Sequence, residues 1–252
     1  MTERTFFDVI LWGFAAVAAV VLPLLLFVTA PYGRHARPGW GPTLPNLWGW
    51  ILMEIPAPIG MAVWFVVGGR FDAASIAFLA VWELHYCQRT FVFPFLMRPG
   101  DPPMPMSIAL FGFLFNMFNT YVNGRWLFTF ADPCPAGWLA DPRFLAGLAV
   151  FLAGFAINLH SDHVLRNLRA PGETAFKIPY RGMFRFVSAA NYLGEFTEWV
   201  GWALLTCSWP GAVFAFWTFA NLGPRARSTH RWYQRTFPEY PKNRKAMIPF
   251  VF

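Results

Sequence analysis

Several stretches of this chain run for about 20 residues with hardly a charge, long enough for a helix to cross the ~30 Å hydrocarbon core of a bilayer. In lipid every backbone N–H and C=O must find an internal partner, which leaves helices or closed barrels. Runs of this length without two-residue alternation select helices. Hydrophobic residues make up 56% of the chain and charged residues 13%, about half the charged share of a soluble domain. The expected fold is all-α: a polytopic membrane protein, folded as a seven-transmembrane helical bundle and one domain over residues 1–252.

The apolar runs predict spans at about 7–29, 45–67, 72–96, 105–123, 143–162, 187–208 and 210–223. Ser208-Trp-Pro-Gly211 joins the last two as a tight turn, so they form a helical hairpin. The first span is too long for the apolar core of a signal peptide, and Val28-Thr29-Ala30 is not read as a cleavage site. Most of the 20 lysines and arginines fall on alternate connections: Arg34 and Arg37, then Arg98, then Arg166 to Arg185, then the tail from Arg225 onward. Only Arg4, Arg70, Arg125 and Arg143 lie on the other side, which makes the C-terminus cytoplasmic. Either a bacterial inner membrane or the endoplasmic reticulum satisfies this pattern.

The apolar runs are interrupted by polar groups, which are costly at membrane depth unless they face inward and find partners. Asn191, Glu195, Glu198 and Trp202 share one helical stripe, with Ser188 beside them. Glu54 stands next to Pro56 and Pro58, where missing N–H groups bend a helix and free carbonyls. Glu83, Tyr86 and Arg89 follow at three-residue spacing, and Asn158, Asp162 and Arg169 fall close together around another helix. No Walker loop, GxGxxG, HExxH or GxSxG is present, and the five histidines and three cysteines have no metal spacing, so no metal is expected. The net charge of +7 sits in connections without a basic, aromatic-interleaved helix, which excludes a nucleic-acid binder and points to the bilayer surface and an anionic ligand.

Five stretches resemble the steroid 5α-reductase family. They are His85-Tyr86-x-x-Arg89-Thr, Asn158-x-His160-Ser161-Asp162, Arg169-x-Pro171-Gly172-Glu173, Asn191-Tyr-Leu-Gly194-Glu195-x-x-Glu198-Trp199, and the tail His230-x-x-Tyr233 with Tyr240-Pro241-x-x-Arg244-x-Ala-x-Ile-Pro-Phe250. The resemblance runs from about residue 50 to the end, with the C-terminal family region at about 105–252, and suggests a prokaryotic-type homologue.

That resemblance implies NADPH-dependent reduction of the Δ4 double bond of a 3-oxo-steroid such as testosterone or progesterone, or of another flat lipid enone. The tail and the basic connections then cap a cofactor cavity, and a monomer is expected. It implies Glu54 and Tyr86 as the catalytic pair polarising the ketone oxygen, with Met53 beside them at the substrate where the family pattern has glutamine. Burial disfavours the charged form of a carboxyl, which suits it to donate a hydrogen bond. Asn158, Asp162, Arg169, Lys177, Asn191, Glu195, His230 and Tyr233 are the implied cofactor contacts, with Trp199 as a wall. Arg89, Arg98, Arg169 and Arg225 are candidates for the 2′-phosphate, since guanidinium pairs well with phosphate. Lys177 stands for an arginine and Thr229 for a histidine of the family pattern. An enoyl-CoA, polyprenol or sterol double-bond reductase, an isoprenylcysteine-type lipid methyltransferase, and a transporter or receptor are the alternatives.

Overall fold

Pro56 and Pro58 cut what would otherwise be one helix into α2 (Asn46–Glu54) and α3 (Pro56–Gly68), with Ile55 still helical at the joint. The computed structural model describes residues 1–31, 33–35, 37–98, 102–170, 172–173 and 175–252, Arg34 by its backbone alone. Pro171 of the motif quoted above lies outside the described residues. The other helices are α1 (Glu3–Phe27), α4 (Ala73–Cys87), α5 (Phe93–Leu96), α6 (Met106–Arg125), α7 (Pro142–Arg166), α8 (Ala190–Thr206) and α9 (Trp209–Thr236). Each expected span corresponds to a helix or a broken helix. Among the described residues, the departures from all-α are a two-residue antiparallel pair, Thr43–Leu44 with Met104–Pro105, and an isolated parallel bridge between Val187 and Lys245. Among the described residues, three segments are long and apolar enough to cross a membrane: Glu3–Phe27, Asn46–Gly68 and Pro142–Arg166.

The expected ends needed three corrections. The third span is not one regular helix: a π turn, Gln88–Val92, separates α4 from α5 and buries Arg89 and Thr90. Pro94 supplies the reason, since it cannot donate to the carbonyl four residues back. The sixth helix starts at Ala190, so Ser188 precedes the stripe it was expected to join. The last helix does not stop at residue 223 but runs through Pro224 to Thr236, because Leu222, Gly223, Pro224, Arg225 and Ala226 are all buried and hold it in place. The tight turn between α8 and α9 is as expected. Cys207 is left-handed at φ 46°, and Ser208 Oγ accepts from the Gly211 N–H at 3.1 Å.

The described chain divides into two compact units, Met1–Phe14 with Ala30–Phe144, and Ala15–Thr29 with Leu145–Phe252. In the first, α6 packs on α2 and α3. Gly112 leaves room for the Met53 side chain, Gly60 for Thr120, and Gly124 for Trp64. A second π turn, Trp126–Phe130, ends α6. Arg70 caps it by donating to the carbonyls of Leu127, Thr129 and Ala131 at 3.4, 2.8 and 2.6 Å.

In the second unit α7 and α8 meet backbone to backbone. A Cβ on Gly154 would lie 2.5 Å from the Glu198 nitrogen, and one on Gly194 2.5 Å from the Asn158 nitrogen. Two turns further along, a Cβ on Gly147 would run into the Leu205 nitrogen and one on Gly201 into the Phe151 nitrogen. Two glycines on each helix, seven residues apart, therefore form one seam. The segment after α9 folds back on the strand-like stretch before α8: Ser188 N–H donates to Lys245 O at 2.9 Å, and Lys245 N–H to Phe186 O at 2.9 Å.

Gly154→Ala should lower the unfolding midpoint in detergent, with a cost of about 1–3 kcal/mol from overpacking. Gly13→Ala, in α1 with nothing within 4 Å of the added carbon, should leave the midpoint unchanged or raise it, since alanine is the better helix former.

Candidate functional site

Around the joint of α2 and α3, side chains of neighbouring helices donate to backbone carbonyls. Trp82 Nε1 on α4 donates to Ala57 O at 3.1 Å. Asn116 Nδ2 on α6 donates to Met53 O at 2.9 Å and to Glu54 Oε2 at 3.2 Å. Tyr86, only 3% exposed, packs its ring against Trp82 and His85 at centroid distances of 4.8 and 4.9 Å. Its hydroxyl donates to Asn116 Oδ1 and accepts from Asn119 Nδ2, both at 3.5 Å. Asn123 Nδ2 in turn donates to Asn119 Oδ1 at 3.0 Å.

Glu54 and Tyr86, expected from separate spans, are thus joined in the first unit through one amide. The sequence reading missed Asn116, Asn119 and Asn123. Their signal was available: three amides at i, i+3 and i+7 inside an apolar run form a stripe as anomalous as the ones noticed. Met53, the expected substrate contact, has its side chain in the notch at Gly112. Arg89 lies on the π turn with its guanidinium 4.7 Å from the Trp50 ring and 4.2 Å from Phe93. Arg98 follows α5 and is half-buried.

In the second unit the glycine seam brings the two expected polar stripes together. Asn158 Nδ2 donates to Asn191 O at 3.0 Å. Asp162, one turn further along α7, is buried, while Asn191 and Glu195 on α8 are half-buried. Glu198 and Trp199 are fully buried, and Trp199 packs on Phe151 and Phe214. Arg225 Nε donates to Tyr192 Oη at 2.8 Å. Arg169 lies over the Phe176 ring at 5.6 Å. Lys177 is exposed and paired with Glu173 at 2.7 Å.

The tail residues form a connected group. Gln234 Nε2 donates to His230 Nε2 at 2.9 Å, His230 Nδ1 is 2.6 Å from Ser188 Oγ, and Tyr240 Oη is 2.6 Å from the same oxygen. Tyr233 stacks on Tyr240 with rings 5.1 Å apart and nearly parallel. Burial pushes the Tyr240 phenol up, opposed by Ser188 and Arg244. Arg244 lies over the faces of Tyr180 and Tyr240 at 4.8 and 5.2 Å. Its Nε and Nη1 are buried without a hydrogen-bond partner among the described residues, as is Ser161 Oγ on α7. Buried donors left unmatched cost about 1–3 kcal/mol each. A guanidinium and a hydroxyl of this kind are donors that the anionic oxygens of a ligand can satisfy. Among the described residues no group of His, Cys, Asp and Glu is arranged to hold a metal ion.

Comparison with known proteins places the chain in a family. The family described as 3-oxo-5-alpha-steroid 4-dehydrogenase matches residues 102–252. The chain belongs to that family. It is 43% identical to the cattle (Bos taurus) 3-oxo-5-alpha-steroid 4-dehydrogenase 1 over 100% of this chain and 99% of that protein. The human (Homo sapiens) protein of the same name is 44% identical over 88% of this chain and 86% of its own length. The steroid 5-alpha-reductase DET2 of Arabidopsis thaliana is 38% identical over 100% of this chain and 99% of its own length. The family expected from the motifs is therefore the one found, and its matched region covers the glycine seam and the tail network as well as the α6 amides.

Burial, and secondarily the charge of Lys245, hold the His230 imidazole below its ordinary value near 6.5. The unfolded chain then binds a proton that the folded one resists, so stability is full above about pH 6.5 and falls as pH drops toward the lowered folded value. The unfolding midpoint should decline on the acid side of about pH 6.5, and His230→Gln should flatten that decline; a decline of equal size in the variant would assign it elsewhere.

Proposed function

We propose that this protein is an NADPH-dependent steroid Δ4-reductase. It would reduce the carbon–carbon double bond of a 3-oxo-Δ4-steroid to the 5α product. The observation that carries the reading is the pairing of Glu54 and Tyr86 through Asn116 in a chain that belongs to the 3-oxo-5-alpha-steroid 4-dehydrogenase family. As a member of that family the chain is an oxidoreductase. Its apolar helices fit a membrane protein.

Reduction of an enone needs negative charge to be stabilised on the ketone oxygen while the β-carbon is attacked. In this proposal the Tyr86 hydroxyl and the Glu54 carboxyl donate to that oxygen, and the aromatic ring packing of Trp82 and His85 fixes Tyr86 against rotation. The chemistry supplied by bound NADPH is the hydride for the β-carbon. Asn158, Asp162, Asn191 and Glu195 would hydrogen-bond its amide and hydroxyl groups. Arg169 and Arg225, with Arg89 and Arg98 as further candidates, would pair with its phosphates. Lys177, His230 and Tyr233 would add cofactor contacts, the last two from a position where they also hold the tail. Trp199 would act from behind, since its packing on Phe151 and Phe214 fixes the α8 backbone. Lys177 belongs to the surface pair with Glu173.

The proposal extends to the whole chain: seven membrane-crossing helices, one integral membrane reductase domain, a cytoplasmic C-terminus and a monomer. Orientation rests on the skewed distribution of lysine and arginine. The natural substrate is proposed as a flat lipid enone entering from the bilayer, with testosterone and progesterone as test compounds.

Purified protein in liposomes should oxidise NADPH only when a 3-oxo-Δ4-steroid is added. Tyr86→Phe should cut kcat by about 10²–10⁴-fold and leave NADPH affinity near that of the parent; turnover within a few-fold of the parent would remove Tyr86 as the donor. Glu195→Gln should weaken NADPH binding by roughly tenfold, about 1.4 kcal/mol, with a smaller change in kcat at saturating cofactor. Unchanged affinity would exclude Glu195 from the cofactor.

A further inference from the structure

A stripe of amides on α6 that served helix packing alone would need only the contact between Asn116 and the Met53 carbonyl. The stripe goes further. Asn116, Asn119 and Asn123 are 3%, 0% and 0% exposed, and each makes a directed contact with the next group toward Tyr86. Asn116 cannot flip its amide, because Nδ2 faces a carbonyl and a carboxyl oxygen at 2.9 and 3.2 Å and an oxygen there would be repelled. Asn119 cannot flip either, because Asn123 Nδ2 donates to its Oδ1 at 3.0 Å. With both amides locked, the Tyr86 hydroxyl meets an acceptor on one side and a donor on the other.

We propose that Asn116 and Asn119 are positioning residues for the reaction, Asn116 setting Tyr86 and Glu54 at a fixed spacing and Asn119 supporting the charge that builds on the Tyr86 oxygen. This rests on the reading of Tyr86 and Glu54 as donors to the substrate ketone. The contacts that lock the amides are short, whereas those of Asn116 and Asn119 with the Tyr86 hydroxyl are 3.5 Å long, at the weak end of hydrogen bonding. The hydroxyl is therefore held in place while its proton stays easy to redirect. Without substrate it points to Asn116 Oδ1. When it turns to a ketone oxygen, its own oxygen gains negative character, and the Asn119 N–H already aimed there becomes a stronger bond at no cost of rearrangement. Asn116 meanwhile keeps Glu54 by Oε2, so one side chain sets the distance between the two donors.

The test uses the full-length protein in detergent with testosterone and oxidised NADP, which cannot turn over. The infrared stretch of the bound ketone reports how strongly its oxygen is hydrogen-bonded. Asn116→Leu and Asn119→Leu are expected to move that stretch part of the way back toward free steroid. They should also lower kcat by about 10–100-fold, with NADPH affinity unchanged within a few-fold. Asn119→Gln, which keeps a donor, is expected to recover part of both effects. Tyr86→Phe calibrates the scale: a stretch that moves in Tyr86→Phe but in neither leucine variant overturns the role of the amides alone. A stretch unmoved in Tyr86→Phe overturns the donor assignment and this inference with it. Lost kcat with an unmoved stretch and a lowered unfolding midpoint would make the amides merely structural, and also overturns it.

Discussion

A break inside an apolar helix offers oxygens to the helices around it, and much of the first unit gathers around one such break. Pro56 and Pro58 withhold two N–H groups from the turn that carries Glu54. Asn116 and Trp82 supply side-chain donors to carbonyls on either side of the break, at Met53 and Ala57. These contacts bring α4 and α6 to the same point on α2 and α3. Trp82 arrives with Tyr86 one turn along on the same helix, and Asn116 arrives with Asn119. A carboxyl, a phenol and two amides are thus gathered at one place beside the break.

The second unit solves a different problem by a different means. Asn158 reaches Asn191 only because α7 and α8 approach until their backbones touch, and that approach exists only where Gly147, Gly154, Gly194 and Gly201 leave out a side chain. The polar groups of α7 and α8 are therefore positioned by absent carbon rather than by added bonds. The tail is anchored by another route, with Ser188 at the centre of contacts to His230, Tyr240 and the Lys245 carbonyl. The aromatic faces of Tyr233 and Tyr240 then stack over one another.

Legibility followed the strength of the local signal. The positions of helices could be read because apolar runs of span length have few other outcomes. Glu54 and Tyr86 stood out because a carboxyl beside two prolines and a polar ridge in an apolar run are costly anomalies. The asparagines of α6 were equally anomalous and were passed over, since uncharged amides disturb hydropathy less than carboxylates do. The π turn at Gln88–Val92 and the passage of α9 through Pro224 were not legible. Proline can end, bend or interrupt a helix, and only neighbouring contacts choose among these. His230 and Tyr233 were legible as parts of one motif from their spacing, whereas their contacts with Ser188 and Tyr240 were not.

By itself the sequence determined that the chain is helical and apolar, that its basic residues are segregated, and which family it resembles. All three follow from composition and order along the chain, which folding cannot alter. Tertiary structure alone decided that Asn116 links Glu54 to Tyr86, that four glycines let Asn158 meet Asn191, and that Ser188 joins the tail rather than the α8 stripe. Those are contacts between residues 30 to 62 positions apart. Their existence depends on how closely helices can pack, a property of pairs of surfaces rather than of any one stretch of chain.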